Sequence, residues 1–246
     1  MRSDSALDWS VWAPSGHECT VIDGPGDRPF DLMFYCPQGE APEGGWPCLL
    51  VLDGGRYFSA FTAVAAALRG RPEKTGILPM AIAAIGHRAE GGAWNDQRRR
   101  DFPSGPSGEG ALVGDEGQGA VFRQWLAETV LPQLAAKGCD PHAISLFGHS
   151  LAGLFVLQAL EHDATLFQRW VSISPSLWWA TPEPRSGTGQ LMMGCGEAET
   201  LRDMRGRISQ WAASHPEARF KLAPEADHGS APFALLPAIL RFVSGN

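Results

Sequence analysis

From residue 48 onward the chain alternates short, almost wholly apolar runs with amphipathic stretches, and this alternation restricts its fold more than any other feature. The apolar runs are CLLVLD (48–53), MAIAAIG (80–86), AISLFG (143–148), RWVSIS (169–174), GQLMMGCG (189–196) and ARFKLA (218–223). A strand covered on both faces reads in this way, without the polar alternation of a half-exposed one. Between the runs lie YFSAFTAVAAALRG, GQGAVFRQWLAETVLPQLAAKG with a kink at Pro132, LAGLFVLQALEH, ETLRDMRGRISQWAASH and APFALLPAILRFV, all with helical patterning. Ahead of them, HECTVID and FDLMFYC flank a Gly/Pro turn and read as a strand pair. The expectation is one α/β domain over residues 1–246, with a mainly parallel central sheet, helices on both faces and antiparallel N-terminal strands.

Composition narrows the function. Apolar residues make up 44% of the 246, enough for a large core, and the formal charge of −7 argues against a nucleic-acid partner. No stretch is long and apolar enough to span a membrane. The start, MRSDSALDWSVWAPSG, lacks the basic head and apolar core of a signal peptide, so a cytoplasmic location is expected. Five cysteines, odd in number, scattered and without CxxC spacing, suit free thiols better than a disulfide frame or a metal site. Walker, HExxH and strand-following GxGxxG motifs are missing, so neither metal nor cofactor is expected. The partner left is a small molecule, met by a monomer or small homo-oligomer.

In parallel sheets the chemistry lies beyond the carboxyl ends of the strands. Five loops there are polar or glycine-rich: DGGRYF, GHRAEGGAWNDQRRRDFPSG, GHSLAG, GEAE and APEADHGSAP. Ser150 in GHSLAG sits where a sharp strand-to-helix turn would lift its hydroxyl above the sheet, although Ala152 stands where the Gly-x-Ser-x-Gly pattern has its last glycine. A plain helix N-cap would also explain this serine. A serine nucleophile needs a base and a group that orients the base. The order Ser150, an acid at 197–199, then His228 is that of the α/β-hydrolase fold. His228 lies in the last strand–helix connection, whereas His149 would be fixed beside the turn and face away from the work of a base. Glu199 is favoured as the acid and Glu197 is the alternative. The Leu151 N–H at a helix start and the Gly55 N–H in the DGG loop are the candidate oxyanion donors. His87 is placed to line the pocket. Of the run Arg98-Arg99-Arg100, at least one is expected to point inward; the match to an R-x-x-D-[FY] motif makes Arg98 the choice, with Arg100 second. Of Trp178 and Trp179, adjacent in SPSLWW, one should be core and one pocket. The Gly/Ser/Pro stretch at 102–119 reads as a flap beside the site.

Together, LLVLDGGRYF, RRRDFPSG, GHSLAGLFVL, SISPSLWW, GEAE and DHGSAP resemble the esterase D-like branch of the α/β-hydrolases. Within it the chain is most similar to the esterases that open catecholate siderophores of the enterobactin, salmochelin and bacillibactin type. The resemblance implies Ser150 as nucleophile, His228 as base, and Gly55 and Leu151 as oxyanion donors. It also implies that Arg98, in an R-x-x-D-[FY] motif, faces the ligand, with Trp178 and Trp179 near the pocket mouth. The acid is variable in this branch, so a Ser–His dyad is an alternative. The function implied is hydrolysis of a siderophore lactone or its ferric complex, in the service of iron acquisition. A general carboxylesterase, a thioesterase or an acyltransferase is the alternative of the same class. A ligand-binding protein that has lost catalysis is the alternative of another.

Overall fold

The apolar runs assemble into one eight-stranded sheet in the order β1-β2-β4-β3-β5-β6-β7-β8. A computed structural model of the chain describes residues 16–105, 117–184 and 186–245. The strands are β1 (His17–Gly24), β2 (Arg28–Tyr35), β3 (Trp46–Leu52), β4 (Ala81–His87), β5 (Cys139–His149), β6 (Arg169–Ile173), β7 (Leu191–Gly196) and β8 (Arg219–Ala223). β2 runs antiparallel to both β1 and β4, and every pair from β4 to β8 is parallel. β1, at one edge, is largely exposed, while every residue of β4 is buried.

Nine helices are described: α1 (Gly54–Leu68), α2 (Pro72–Thr75), α3 (Gly91–Asp101), α4 (Gly119–Trp125), α5 (Leu131–Ala136), α6 (Leu151–His162), α7 (Met204–Ser214), α8 (Ala231–Ala234) and α9 (Leu236–Val243). Strand side chains alternate between the faces of the sheet. Leu50 and Leu52 of β3 join one core with residues of α4, α5, α6 and α7. Leu49 and Val51 join the other with α1, α8 and α9. None of these helices is long and apolar enough to cross a membrane.

The break expected at Pro132 takes a specific form. Proline cannot donate to the carbonyl four residues back, and its ring crowds that carbonyl. Leu126–Val130 therefore widens into a π turn between α4 and α5, in which the Leu131 N–H reaches Leu126 O. Two expectations need correction. The loop 86–105 contains a helix, α3, and the helix expected from Glu199 begins at Met204. Ahead of α7, Leu201–Asp203 forms a 3-10 turn in which Arg202 (φ 52°) and Asp203 (φ 53°) are left-handed. The expected flap falls largely on residues 106–116, outside the described residues; its flanks meet in a bridge between Ser104 and Gln118.

β3 lies between β4 and β5, so the chain leaves β3 to one side and returns on the other. Strand order reverses between β3 and β5, which is where open α/β sheets make their ligand crevice.

Candidate active site

The β5–α6 junction turns within one residue. Ser150 adopts φ 61° and ψ −119°, a conformation that costs an L-residue energy and persists only where its surroundings impose it. Its N–H donates to Ile173 O (3.0 Å), and its carbonyl accepts from the N–H of Leu154 (3.0 Å) and of Ser176 (3.1 Å). The turn is tight enough that a Cβ on Gly148 would lie 2.2 Å from the Ala152 carbonyl oxygen. Ala152 itself lies within α6 at ordinary φ and is fully buried, so its methyl group is accommodated. Gly153 makes the close approach to the next strand, since a Cβ there would stand 3.0 Å from Ile173 O. The glycine of this motif is displaced by one residue.

Glu199 follows β7 and is buried. Its Oε1 accepts from Ser174 Oγ (2.5 Å) and the Gly196 N–H (2.7 Å), and its Oε2 from His228 Nδ1 (3.1 Å). Burial pushes the Glu199 pKa up, but the bonds from His228, Ser174 and Gly196 outweigh it and hold the carboxyl below its ordinary range. Glu197 is exposed and its Oε2 accepts only the Glu225 N–H (3.3 Å) among the described residues, so the structure brings Glu199, and not Glu197, to His228. With Nδ1 on Glu199, His228 keeps Nε2 without a hydrogen bond among the described residues. Ser150 and His228 line one cavity of about 710 Å³, where Ser150 Oγ stands 3.4 Å from Ser176 Oγ. Serine–base hydrogen bonds are often long before a substrate binds.

Leu151 begins α6 on the same wall. Gly55 is exposed at the start of α1 and is not among the residues that line the cavity; it follows Asp53 in left-handed conformation (φ 56°). N–H groups in the first turn of a helix have no intrahelical acceptor. The two helix starts therefore present free donors at the ends of adjacent strands.

Burial and pairing redirect Arg98, Arg100 and His87, whereas the two tryptophans divide into one core and one pocket residue as expected. Arg98 is buried and bidentate on Asp53 (Nε–Oδ1 and Nη2–Oδ2, both 2.8 Å), with a longer bond to His149 O (3.4 Å). It ties the β3 loop to the β5 loop instead of reaching into the larger cavity. Arg100 turns back to Asp101 (Nε–Oδ1, 3.2 Å). His87 is buried against Phe30 and Phe102 and pairs with the same Asp101 (3.0 Å). Trp179 is core, while Trp178 lines the larger cavity beneath the Arg202 guanidinium (3.9 Å from ring centroid to Cζ). Arg99, the middle of the triplet, is the one on the wall of the larger cavity, while Arg98 lines a smaller compartment that also includes Ser150 and His228.

Other residues become visible only in three dimensions. Tyr57 Oη lies 2.8 Å from His149 Nδ1, and His149 Nε2 lies 2.9 Å from the His228 carbonyl oxygen. A carbonyl only accepts, so Nε2 carries the hydrogen and Nδ1 accepts from Tyr57. Burial, then the nearby His228 and Arg98, lower the His149 pKa well below 6.5, and this histidine is neutral. Burial, with the charge of Asp53, pushes the Tyr57 phenol up to about 12 and keeps it a donor.

A family profile described as "Putative esterase" matches residues 26–220. The ferri-bacillibactin esterase of Bacillus subtilis (strain 168) is 30% identical over 166 residues, covering 63% of this chain and 56% of that protein. The apo-salmochelin esterase of Escherichia coli O6:H1 is 29% identical over 159 residues, covering 62% and 48%. The chain thus spans about half the length of the curated relatives it matches. The crystal structure of the BES protein from Bacillus cereus superposes with a TM-score of 0.83 at 25% identity, over 96% of this chain and 99% of that one. The fold is that of the α/β-hydrolases.

Proposed function

The chain belongs to the Esterase family, and on that premise we propose that it is a serine hydrolase that cleaves ester or lactone bonds of a siderophore. The observation that carries the reading is the strained Ser150 at a helix start, sharing a cavity with a histidine held by a buried carboxylate. Ser150 Oγ attacks the ester carbonyl as its proton passes to His228 Nε2. Glu199 holds the Nδ1 hydrogen and stabilises the imidazolium. Charge on the carbonyl oxygen is met by the Leu151 and Gly55 N–H groups. His228 then protonates the departing alcohol, and water releases the acyl group with His228 again as base.

The proposed substrate is a catecholate siderophore. A cavity of about 710 Å³ walled by Trp178, Arg99 and Arg202 suits flat, anionic aromatic arms, although Asp96 and Asp227 share the wall. The relatives' names include one ferric and one iron-free ligand, so both forms belong in the assay. Five unpaired thiols support the cytoplasm as the proposed compartment. The test is turnover of enterobactin, with and without iron, and of a p-nitrophenyl ester. Ser150→Ala should abolish all of it, and a fluorophosphonate should label Ser150. Retained turnover in the variant, or labelling elsewhere, would reject the reading.

A further inference from the structure

A second, smaller compartment of about 250 Å³ opens from the other side of Ser150 and His228. Its wall includes Arg56, Tyr57, Arg98, His149 and Phe233. The charges on this wall do not cancel. The Arg98 charge is matched by the bidentate Asp53, and His149 is neutral. Arg56 makes no ion pair among the described residues. Its guanidinium lies over the Trp94 ring, with Cζ 4.1 Å from the centroid. Arg98 Cζ lies over the same ring at 4.4 Å, so Trp94 fixes both planes. Across the compartment Phe233 is 47% exposed, an apolar surface beside an unmatched cation. The compartment is about a third the size of its neighbour. Its chemistry suits a short hydrocarbon ending in an anion.

We propose that this compartment binds a carboxylate carried close to the scissile ester, with Arg56 as the residue that selects it. The proposal rests on Ser150 being the nucleophile. Opening a cyclic ester releases one hydroxyl and one carboxylate. In an opened oligo-ester of a hydroxy acid, the terminal alcohol unit bears that carboxylate next to the following ester bond. Arg56 would then favour the opened chain over the intact ring, and hydrolysis would continue from the acid end.

The test compares two acid–amide pairs. N-acetyl-O-butanoylserine and its carboxamide place the carboxylate on the alcohol side. Monoethyl succinate and ethyl succinamate place it on the acyl side. For each enzyme the ratio of kcat/KM between acid and amide is measured, so a uniform change in rate cancels. In the unaltered protein the acid of at least one pair should be preferred by about tenfold or more, the scale of one charge-assisted contact. That ratio should fall toward one in Arg56→Met and take an intermediate value in Arg56→Lys. A ratio near one in both pairs, or a ratio that Arg56→Met leaves unchanged, overturns the proposal. Calorimetric titration with N-acetylserine separates this from a failure of the esterase reading. Binding lost in Arg56→Met supports the compartment whether or not esters turn over, and binding that survives the substitution counts against it.

Discussion

His149 Nε2 donates to the carbonyl oxygen of His228 across 2.9 Å, joining the end of β5, next to Ser150, to the loop that carries His228. The ring centroids of the two histidines are 4.5 Å apart, so a charged His149 would oppose the imidazolium proposed for His228. His149→Phe removes the tie while filling the space. It should lower kcat by up to about a hundredfold with little change in KM, as misplacement of a reacting group does. His149→Gln, which keeps a donor, should restore part of the loss. Steady-state kinetics of both variants provide the check, and a loss confined to KM would contradict this positioning role.

Glu199 and Glu197 are separated by one residue and by their surroundings. Glu199→Gln removes the anion behind His228 and should reduce kcat by about two orders of magnitude or more. Glu197→Gln alters an exposed side chain and should stay within about twofold of the parent, the range of an ordinary surface change. Small effects of both would mark a Ser–His dyad.

Among the shifted groups, His149 and Glu199 act on stability in separate pH windows. His149 has its folded pKa below the ordinary 6.5, so the unfolded chain binds the extra proton first. Stability should therefore fall as pH drops below 6.5, by at most about 1.4 kcal/mol per unit, until the lowered folded value is reached. The folded pKa of Glu199 lies below 4.5, so its contribution is fully present above 4.5 and is lost as pH falls through the lowered value. Urea unfolding from pH 8 down to about pH 2.5 should show both slopes. His149→Gln should flatten the first and Glu199→Gln the second.

Arg98 and Asp53 form a buried bidentate pair. Arg98→Met leaves a carboxylate buried without its partner, at a cost of about 3–5 kcal/mol. The melting temperature should fall on the order of 10 °C. Adding Asp53→Asn should recover part of the fall, because the stranded charge is then gone. If Arg98 served the ligand instead, Arg98→Met would raise KM and leave the melt unchanged.

Gly148 and Ala152, on either side of Ser150, make a paired test of the elbow. Gly148→Ala places a methyl group 2.2 Å from a carbonyl oxygen and should abolish soluble expression. Ala152→Gly affects a buried helical position and should cost about 1 kcal/mol or somewhat more through helix propensity and lost packing. Thermal melts and expression yields distinguish the two.

The strands were legible because burial on both faces leaves little but apolar residues in them, and β4 is buried at all seven positions. α3 was not, since GGAWNDQRRRD offers only Trp94 and one alanine to an apolar period. That helix is anchored by Arg98 on Asp53 and by Asp101 on Arg28 and His87, contacts that span up to 73 residues. A triplet of arginines looks the same in sequence whichever member turns inward. Asp53 stood in the DGG loop without a signal that its partner lay 45 residues downstream. The spacing of Glu197 and Glu199 left both open, and the left-handed turn at Arg202 and Asp203 keeps the acid loop out of the helix that follows. Ser176 and Tyr57 were invisible because neither type nor spacing marks a residue whose role is to brace another.

β8 is hydrogen-bonded on one side only, to β7, and four of its five residues are exposed or half-exposed. The loop carrying His228 leaves from this margin, whereas Ser150 leaves from β5 in the interior of the sheet. Edges fray at lower free energy than cores open. If His228 is the proposed base, the first loss of activity on heating or in denaturant should be a local detachment of its loop from this edge. Activity should then be lost before the interior of the sheet opens, and bracing this one margin should lengthen the working life of the molecule.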